Sequence, residues 1–302
     1  MNNKAMITGT FIDEITYDIP SSNWSADEWK KDLDNMKVFG IDTLIFIRGG
    51  FYGKTIYPSK HFGTESTPDF LGFILDEAEK REMKVFIGMY ITDIDWNHGD
   101  YKGELIKNRY FVNEIMELYG NKKSFYGWYL PHETCDNRLH IADLMAGLGA
   151  MCKDAAPDKK VLISPFFRSS IIRPKLYYSP KKHYKVWDKI FAKCGKYVDF
   201  CARQDGTAPL ELMEEYYAAD KALCDKYGIE MWVNAESFER DVRQMFYPIP
   251  FETLKTRLEK HAKYAEKIIT FEFSHFLSPQ SIYPSAKNLN ARYLEYFKNG
   301  EE

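Results

Sequence analysis

Several things are scarce in this chain. Of its 302 residues only five are cysteine, and Cys135, Cys152, Cys194, Cys201 and Cys224 form no CxxC pair. An odd number without close pairs argues against a disulfide framework, and the thiols read as buried and inert in a reducing compartment. Glycine is missing where a phosphate site would need it, because none occurs from Ile229 to Asn299. Barrels that act on phosphorylated metabolites commonly use backbone N–H groups in loops after their last two strands, so that class is disfavoured. No G-x-G-x-x-G follows any strand-like run, which argues against a dinucleotide-binding fold. Apolar runs last only about 6 to 9 residues, against the roughly 20 of a membrane-spanning helix. An excess of one charge is also absent: 41 basic and 44 acidic residues are well mixed, with a formal net charge of −3. No electrostatic footprint for nucleic acid results. The first residues pass directly into a strand-like run with no signal-peptide pattern. As it stands the sequence reads as cytoplasmic, or as periplasmic or secreted if an export signal has been removed.

Aromatic residues are abundant, at 16%. That is more ring area than a core requires, and rings also make flat, rigid platforms for ligands. A chain of this length buries enough apolar surface to need no disulfide or metal for stability.

Short apolar runs alternate with longer amphipathic ones. Strand candidates are residues 6–12, 43–47, 84–90, 124–130, 160–164, 197–202, 229–234 and 268–273, starting roughly every 32 to 41 residues. Helical patterns lie between them. Ser25 and Glu28 form a capping box before Trp29, Leu33 and Met36, and Gly40 ends that helix. Thr67 is expected to cap the next helix, with Pro68 at its first position. Phe251, Leu254, Leu258, Ala262 and Ala265 recur at steps of three and four. Eight strand–helix units in one chain, with no linker between them, predict an α/β fold: a single-domain (β/α)8 TIM barrel over residues 1–302, closed by a helix at about 285–298.

In such a barrel chemistry sits at the C-terminal ends of the strands. Those ends are polar and lie beside aromatics: Asp13 and Glu14; Arg48, with Tyr52 in the loop beyond; Tyr90 and Asp93; Trp128 to Glu133; Phe166 to Arg168; Arg203 to Asp205; Trp232 to Glu236; Glu272 to His275. Glu133 and Glu236 stand out, because strands 4 and 7 face each other across the mouth of an eight-stranded barrel. Glycoside cleavage needs two carboxyl groups flanking one bond. One must be protonated to donate to the leaving oxygen; the other attacks the anomeric carbon or activates water. Burial among Trp128, Tyr129 and Trp232 would separate their pKa values. The simpler alternative is that each glutamate caps a helix or pairs with Arg48, Arg168 or Arg203.

The segments Gly9-Thr-Phe11, Phe125-Tyr-Gly-Trp-Tyr-Leu-Pro-His-Glu133 and Trp232-Val-Asn-Ala-Glu236 resemble those of the domain of unknown function 4434 family, bacterial proteins suspected to be glycosidases. Glutamates ending strands 4 and 7 also resemble the signature of clan A of the retaining glycoside hydrolases. The resemblance implies Glu133 as acid/base, Glu236 as nucleophile and a retaining mechanism on an oligo- or polysaccharide, with no cofactor. One position departs from clan A. The residue before the acid/base is usually Asn, which bonds the sugar 2-hydroxyl, and here it is His132.

Further contacts to substrate are expected from Arg48 and Asn234 as hydroxyl or carboxylate partners, and from Tyr52, Tyr90, Trp128 and Trp232 as stacking platforms. Arg168, Asp205, Glu272 and His275 complete the expected wall, with Asp205 the reserve carboxylate. Two other readings remain open. His132, Glu133, Glu272 and His275 converging as a mixed oxygen and nitrogen site would make a metal-dependent barrel isomerase or hydrolase. A barrel that binds carbohydrate without cleaving it would keep the aromatics but not bring the carboxylates together.

Overall fold

The computed structural model describes residues 5–16, 21–63, 67–92, 94–240 and 245–298. Asp93 lies outside them. Eight parallel strands close into a barrel in chain order: β1 (Ile7–Ile12), β2 (Thr43–Phe46), β3 (Lys84–Gly88), β4 (Phe125–Leu130), β5 (Lys160–Ile163), β6 (Phe200–Gln204), β7 (Glu230–Glu236) and β8 (Lys267–Phe271). Strand β8 pairs with β1 to complete the ring. Each strand is followed by a long helix: α1 (Ala26–Phe39), α2 (Phe70–Lys80), α3 (Tyr101–Tyr119), α4 (Ile141–Ala155), α5 (Pro180–Cys194), α6 (Met213–Tyr227), α7 (Phe251–His261) and α8 (Pro284–Lys298). The chain is thus a (β/α)8 TIM barrel, as its periodicity predicts. No helix among the described residues is long and apolar enough to cross a membrane. The five cysteines are all free and buried.

The pleat sends neighbouring strand residues to opposite faces. Phe86, Tyr129, Leu162, Phe200, Trp232 and Ile269 fill the barrel interior. Val85, Phe125, Trp128, Leu130, Val161 and Ile163 belong instead to the layer packed under the helices. Helix α1 starts as expected: Ser25 Oγ accepts from the Glu28 N–H, Glu28 reaches back to the Ser25 N–H at 2.7 Å, and Gly40 closes it at φ 109°. Trp29, Leu33 and Met36 are buried. The cap of α2 is Asp69 rather than Thr67, because the Asp69 carboxylate accepts from the Gly72 N–H at 2.8 Å and leaves Pro68 before the helix. Helix α7 stops at His261, short of Ala265. Helix α8 closes the ring through Tyr293, whose hydroxyl accepts from the Ile7 N–H at 2.7 Å and whose ring stacks on Phe39 at 4.1 Å.

Three boundaries matter for the site. Strand β6 begins at Phe200, after a 3-10 turn over Gly195–Tyr197, and runs on to Gln204. Strand β7 extends to Glu236 itself, whereas Glu133 stands three residues beyond the end of β4. Strand β3 ends at Gly88, and Tyr90–Ile91 pair with Gly50–Phe51 in a small three-stranded sheet beside the mouth. A hairpin of Phe238–Arg240 with Phe246–Pro248 follows β7.

Candidate active site

A cavity of about 410 Å³ opens at the C-terminal mouth of the barrel. Glu133 and Glu236 both line it, with Asp13, Arg48, Gln204, Asn234, Arg240 and His275 as their polar neighbours. The apolar walls are Phe11, Phe238, Phe246, Phe271 and Phe276. Rings do surround the two carboxylates, but they are Phe11 of β1, Phe271 of β8, Phe238 and Phe246 of the hairpin, and Phe276 and Tyr283 beyond β8, rather than the tryptophans.

The two carboxyl groups differ in setting. Glu236 is 8% exposed, and its carboxyl is pushed up to about 8. Burial is the main cause; the negative charges of Asp205 and Glu133 add to it, while Arg240 and Arg257 oppose it. Glu133 lines the same cavity but is itself exposed to it. Its carboxyl is also raised, first by loss of bulk water, with Arg48, Gln204 and Arg240 pulling it down and Asp13 pushing it up.

The arginines are engaged elsewhere than in close pairs with these glutamates. Arg48 donates to Thr16 Oγ1 at 2.8 Å and stacks over Phe51. Arg168 pairs with Asp136 on the rim and donates to the Leu176 carbonyl at 3.0 Å, outside the cavity lining. Arg203 makes a two-point pair with Asp220, both bonds at 2.9 Å. Among the described residues no Lys or Arg nitrogen lies within 4.0 Å of either glutamate.

The other expected residues divide. Arg48, Asn234 and His275 line the cavity, and Asn234 is held by a 3.4 Å bond to Ser164 Oγ. Trp128 does not line it; the residue faces the helices and packs edge-on against Phe125. Trp232 lies inside the barrel but below the cavity, stacked on Phe200 at 4.4 Å with its indole N–H on Glu230. Tyr90 is buried in the small sheet, stacked on Phe62, with its hydroxyl accepting from the Gly53 N–H. Tyr52 stacks on Phe51 and does not reach the lining.

His132 turns away to Glu104 at 2.8 Å, and Glu104 also accepts from the Thr92 N–H, so His132 cannot stand in for a 2-hydroxyl ligand. Glu272 is fully buried and pairs with His275, Nδ1 to Oε1 at 2.5 Å. Burial pulls the His275 imidazole down, but Glu272, Asp13 and Glu14 together raise it. His275 Nε2 meets Ser21 Oγ at 3.1 Å, and Ser21 is also bonded to Glu14, whose carboxyl is pushed up to about 7, mainly by burial. His132 and His275 therefore serve separate networks. Among the described residues no group of three or more His, Cys, Asp or Glu side chains is arranged to hold a metal ion.

Asp205 is the main relocation. It is fully buried and does not line the cavity; it sits behind Glu236. Its Oδ1 accepts from the Glu236 N–H at 2.8 Å, its Oδ2 meets His261 Nε2 at 2.8 Å, and Arg257 Nη1 stands 3.7 Å away. Burial would raise this carboxyl, but Arg257, His261 and the Glu236 amide outweigh it and hold it below the usual range. Gly206 lies under the Glu236 carboxylate: a Cβ there would fall 1.7 Å from Oε2. Gly206, Arg257, His261 and Arg240 were not among the expected site residues, whereas Gln204 lies in the Arg203–Asp205 strand end. Only the i, i+4 spacing of Arg257 and His261, which puts them on one helix face, hinted at a joint role.

Gly206→Ala is expected to swing the Glu236 carboxylate out of place without disturbing the fold. A displacement of about 1 Å at a reacting group costs on the order of 10²-fold in rate. Where an aryl glycoside is cleaved through Glu236, kcat should fall by that factor with KM nearly unchanged. An unaltered kcat would mean that the carboxylate position seen here is not the working one.

The chain is therefore a (β/α)8 barrel that brings a carboxylate from the loop after β4 and another from the end of β7 to one cavity. The chain matches the family described as a domain of unknown function, DUF4434, over residues 7–283, and it belongs to that family. A structure of a suspected alpha-L-fucosidase from Bacteroides thetaiotaomicron VPI-5482 is 39% identical, with a TM-score of 0.93 over 98% of this chain and 95% of that one. An endo-1,4-beta-D-mannanase from Thermotoga petrophila RKU-1 is 13% identical, with a TM-score of 0.62 over 95% and 99%. An intracellular xylanase from Thermoanaerobacterium saccharolyticum JW/SL-YS485 is 12% identical, with a TM-score of 0.53 over 89% and 86%. The last two share the fold. No curated protein matches the chain.

Proposed function

We propose that this protein is a glycoside hydrolase in which Glu133 and Glu236 carry the reaction on a carbohydrate held in the mouth of the barrel. The supporting observation is that two carboxyl groups from facing strands line one phenylalanine-walled cavity and each lies close enough for the Glu133 charge to raise Glu236. By position, Glu133 donates the proton to the leaving oxygen and Glu236 attacks the anomeric carbon. Water then releases the sugar with Glu133 acting as base.

One observation favours the opposite division of roles. In the free site burial raises the Glu236 carboxyl to about 8, so it holds a proton near neutral pH, as an acid catalyst would. A substrate that brings positive charge toward Glu236 in the transition state reverses that preference.

The test is a screen of aryl glycosides, beginning with the α-L-fucoside suggested by the Bacteroides relative. A 2-deoxy-2-fluoro inhibitor of the cleaved sugar is then used to trap the enzyme. Mass spectrometry is expected to find the label on Glu236. Label on Glu133 establishes the reversed roles. Sugar binding with no turnover of any glycoside makes the protein a carbohydrate-binding barrel and refutes the hydrolase reading.

A further inference from the structure

We propose that Asp205 is a positioning residue for Glu236, which it holds against Gly206 from behind the cavity, with Arg257 of α7 as its counter-charge and His261 as its hydrogen-bond partner. The inference rests on the reading of Glu236 as a reacting carboxylate. Its geometry does not.

Three contacts define the arrangement. Asp205 Oδ1 takes the Glu236 N–H at 2.8 Å, which ties the last residue of β7 to the loop after β6. The Asp205 N–H donates to the Asn234 carbonyl at 3.1 Å, so the two segments are tied in both directions. The bare Cα of Gly206, next in the chain, leaves the space that the Glu236 carboxylate occupies. Asp205 itself is fully buried. A buried carboxylate is stable only when paired and hydrogen-bonded, and α7 supplies the partners: His261 at 2.8 Å and Arg257 at 3.7 Å. Tyr217 of α6 packs edge-on against the His261 ring at 5.0 Å and closes the back of the network.

This arrangement also sets the charge that Glu236 meets. The groups facing it are Asp205 from the loop after β6, Glu133 from the loop after β4, Arg240 from the hairpin, and Arg257 from α7. Asp205 resists ionisation of Glu236; Arg257 favours it. Removing either one therefore shifts Glu236 in opposite senses, which a loss of packing alone would not do.

The experiment follows the Glu236 carboxyl by 13C NMR in protein labelled at glutamate carboxyls, the signal being assigned by its loss in Glu236→Gln. Asp205→Asn keeps a group able to accept from the Glu236 N–H but removes the charge, and should lower the titration midpoint by about one pH unit or more. Arg257→Met, at a partly exposed helix position, should raise it. Where Asp205→Asn does not fold, the Arg257→Met shift alone decides. Midpoints that stay at the wild-type value, or move together in one direction, overturn the proposal. The titration needs no substrate, so it stands even if no glycoside is cleaved. Where one is cleaved, the matching limb of the pH–rate profile should move with the NMR midpoint.

Discussion

Glu236→Gln is expected to lower hydrolysis by about 10⁴-fold or more, and Glu133→Gln by about 10²- to 10⁴-fold, the range for a positioned acid or base. Both changes keep the size and most of the hydrogen bonding of the side chain, so the dissociation constant for the sugar should move by less than about tenfold. The two variants should also differ from each other. A nucleophile is needed whatever leaves, whereas an acid matters least when the leaving group is already acidic. Glu133→Gln should therefore retain more activity on a dinitrophenyl glycoside than on an alkyl one, while Glu236→Gln fails on both. Steady-state kinetics on the two substrates, with calorimetric sugar binding, measures this. Full activity in either variant refutes the assignment of that residue, and a reversed pattern of leaving-group dependence exchanges the roles.

The second large effect is on stability, and its sign follows from linkage. An unfolded glutamate ionises near 4.5, while Glu236 in the folded protein does so at about 8. Between those values the folded state keeps a proton that the unfolded state has lost. Stability from this group is fully present below about 4.5 and is lost as the pH rises through about 8. The slope is about 1.4 kcal/mol per pH unit for one proton, so the whole loss amounts to a few kcal/mol. Glu236→Gln has no such titration. Its melting temperature should approach or fall below that of the wild type near pH 4.5 and exceed it by several degrees at pH 8.5. Parallel melting curves for the two proteins across this range would mean that Glu236 ionises as an ordinary carboxylate. Such a variant, more stable but inactive, is the usual consequence of removing a desolvated charge from a working site.

The barrel was legible because it depends on local information repeated eight times. A strand-forming run, a helix of the right period and a turn signal recur at a spacing set by the length of one β/α unit. A capping box such as Ser25–Glu28 fixes a helix start using only four residues. Boundaries were less legible where a competing local bond won. Asp69 took the cap from Thr67, and a 3-10 turn over Gly195–Tyr197 delayed β6.

The site was read unevenly for a related reason. Glu133, Glu236, Arg48, Asn234 and His275 follow from counting to the strand ends, and the structure brings them to one cavity. Trp128, Trp232, Tyr90 and Tyr52 stand at similar counts but do not line it. Adjacent residues on a strand face opposite ways, so one place in the pleat separates Trp128, under the helices, from Tyr129, inside the barrel. Depth matters as well: Trp232 faces inward but lies too low, and Phe11 and Phe271 take the places expected for it. His132 is adjacent to Glu133, yet Glu104, from α3, draws it away.

From the sequence alone came the eightfold unit, the barrel, the pair of glutamates on facing strands and the excess of aromatic rings. All of these are carried by spacing and composition, which survive without knowledge of what lies across the molecule. Only the tertiary structure decided which rings wall the cavity, that Asp205 stands behind Glu236 rather than beside the substrate, and that the shifts of both glutamates come chiefly from burial. Those facts depend on side-chain direction and on charges brought together from segments far apart in the chain. Electrostatic energy depends on distance and on exclusion of water, and neither is set until the barrel has closed.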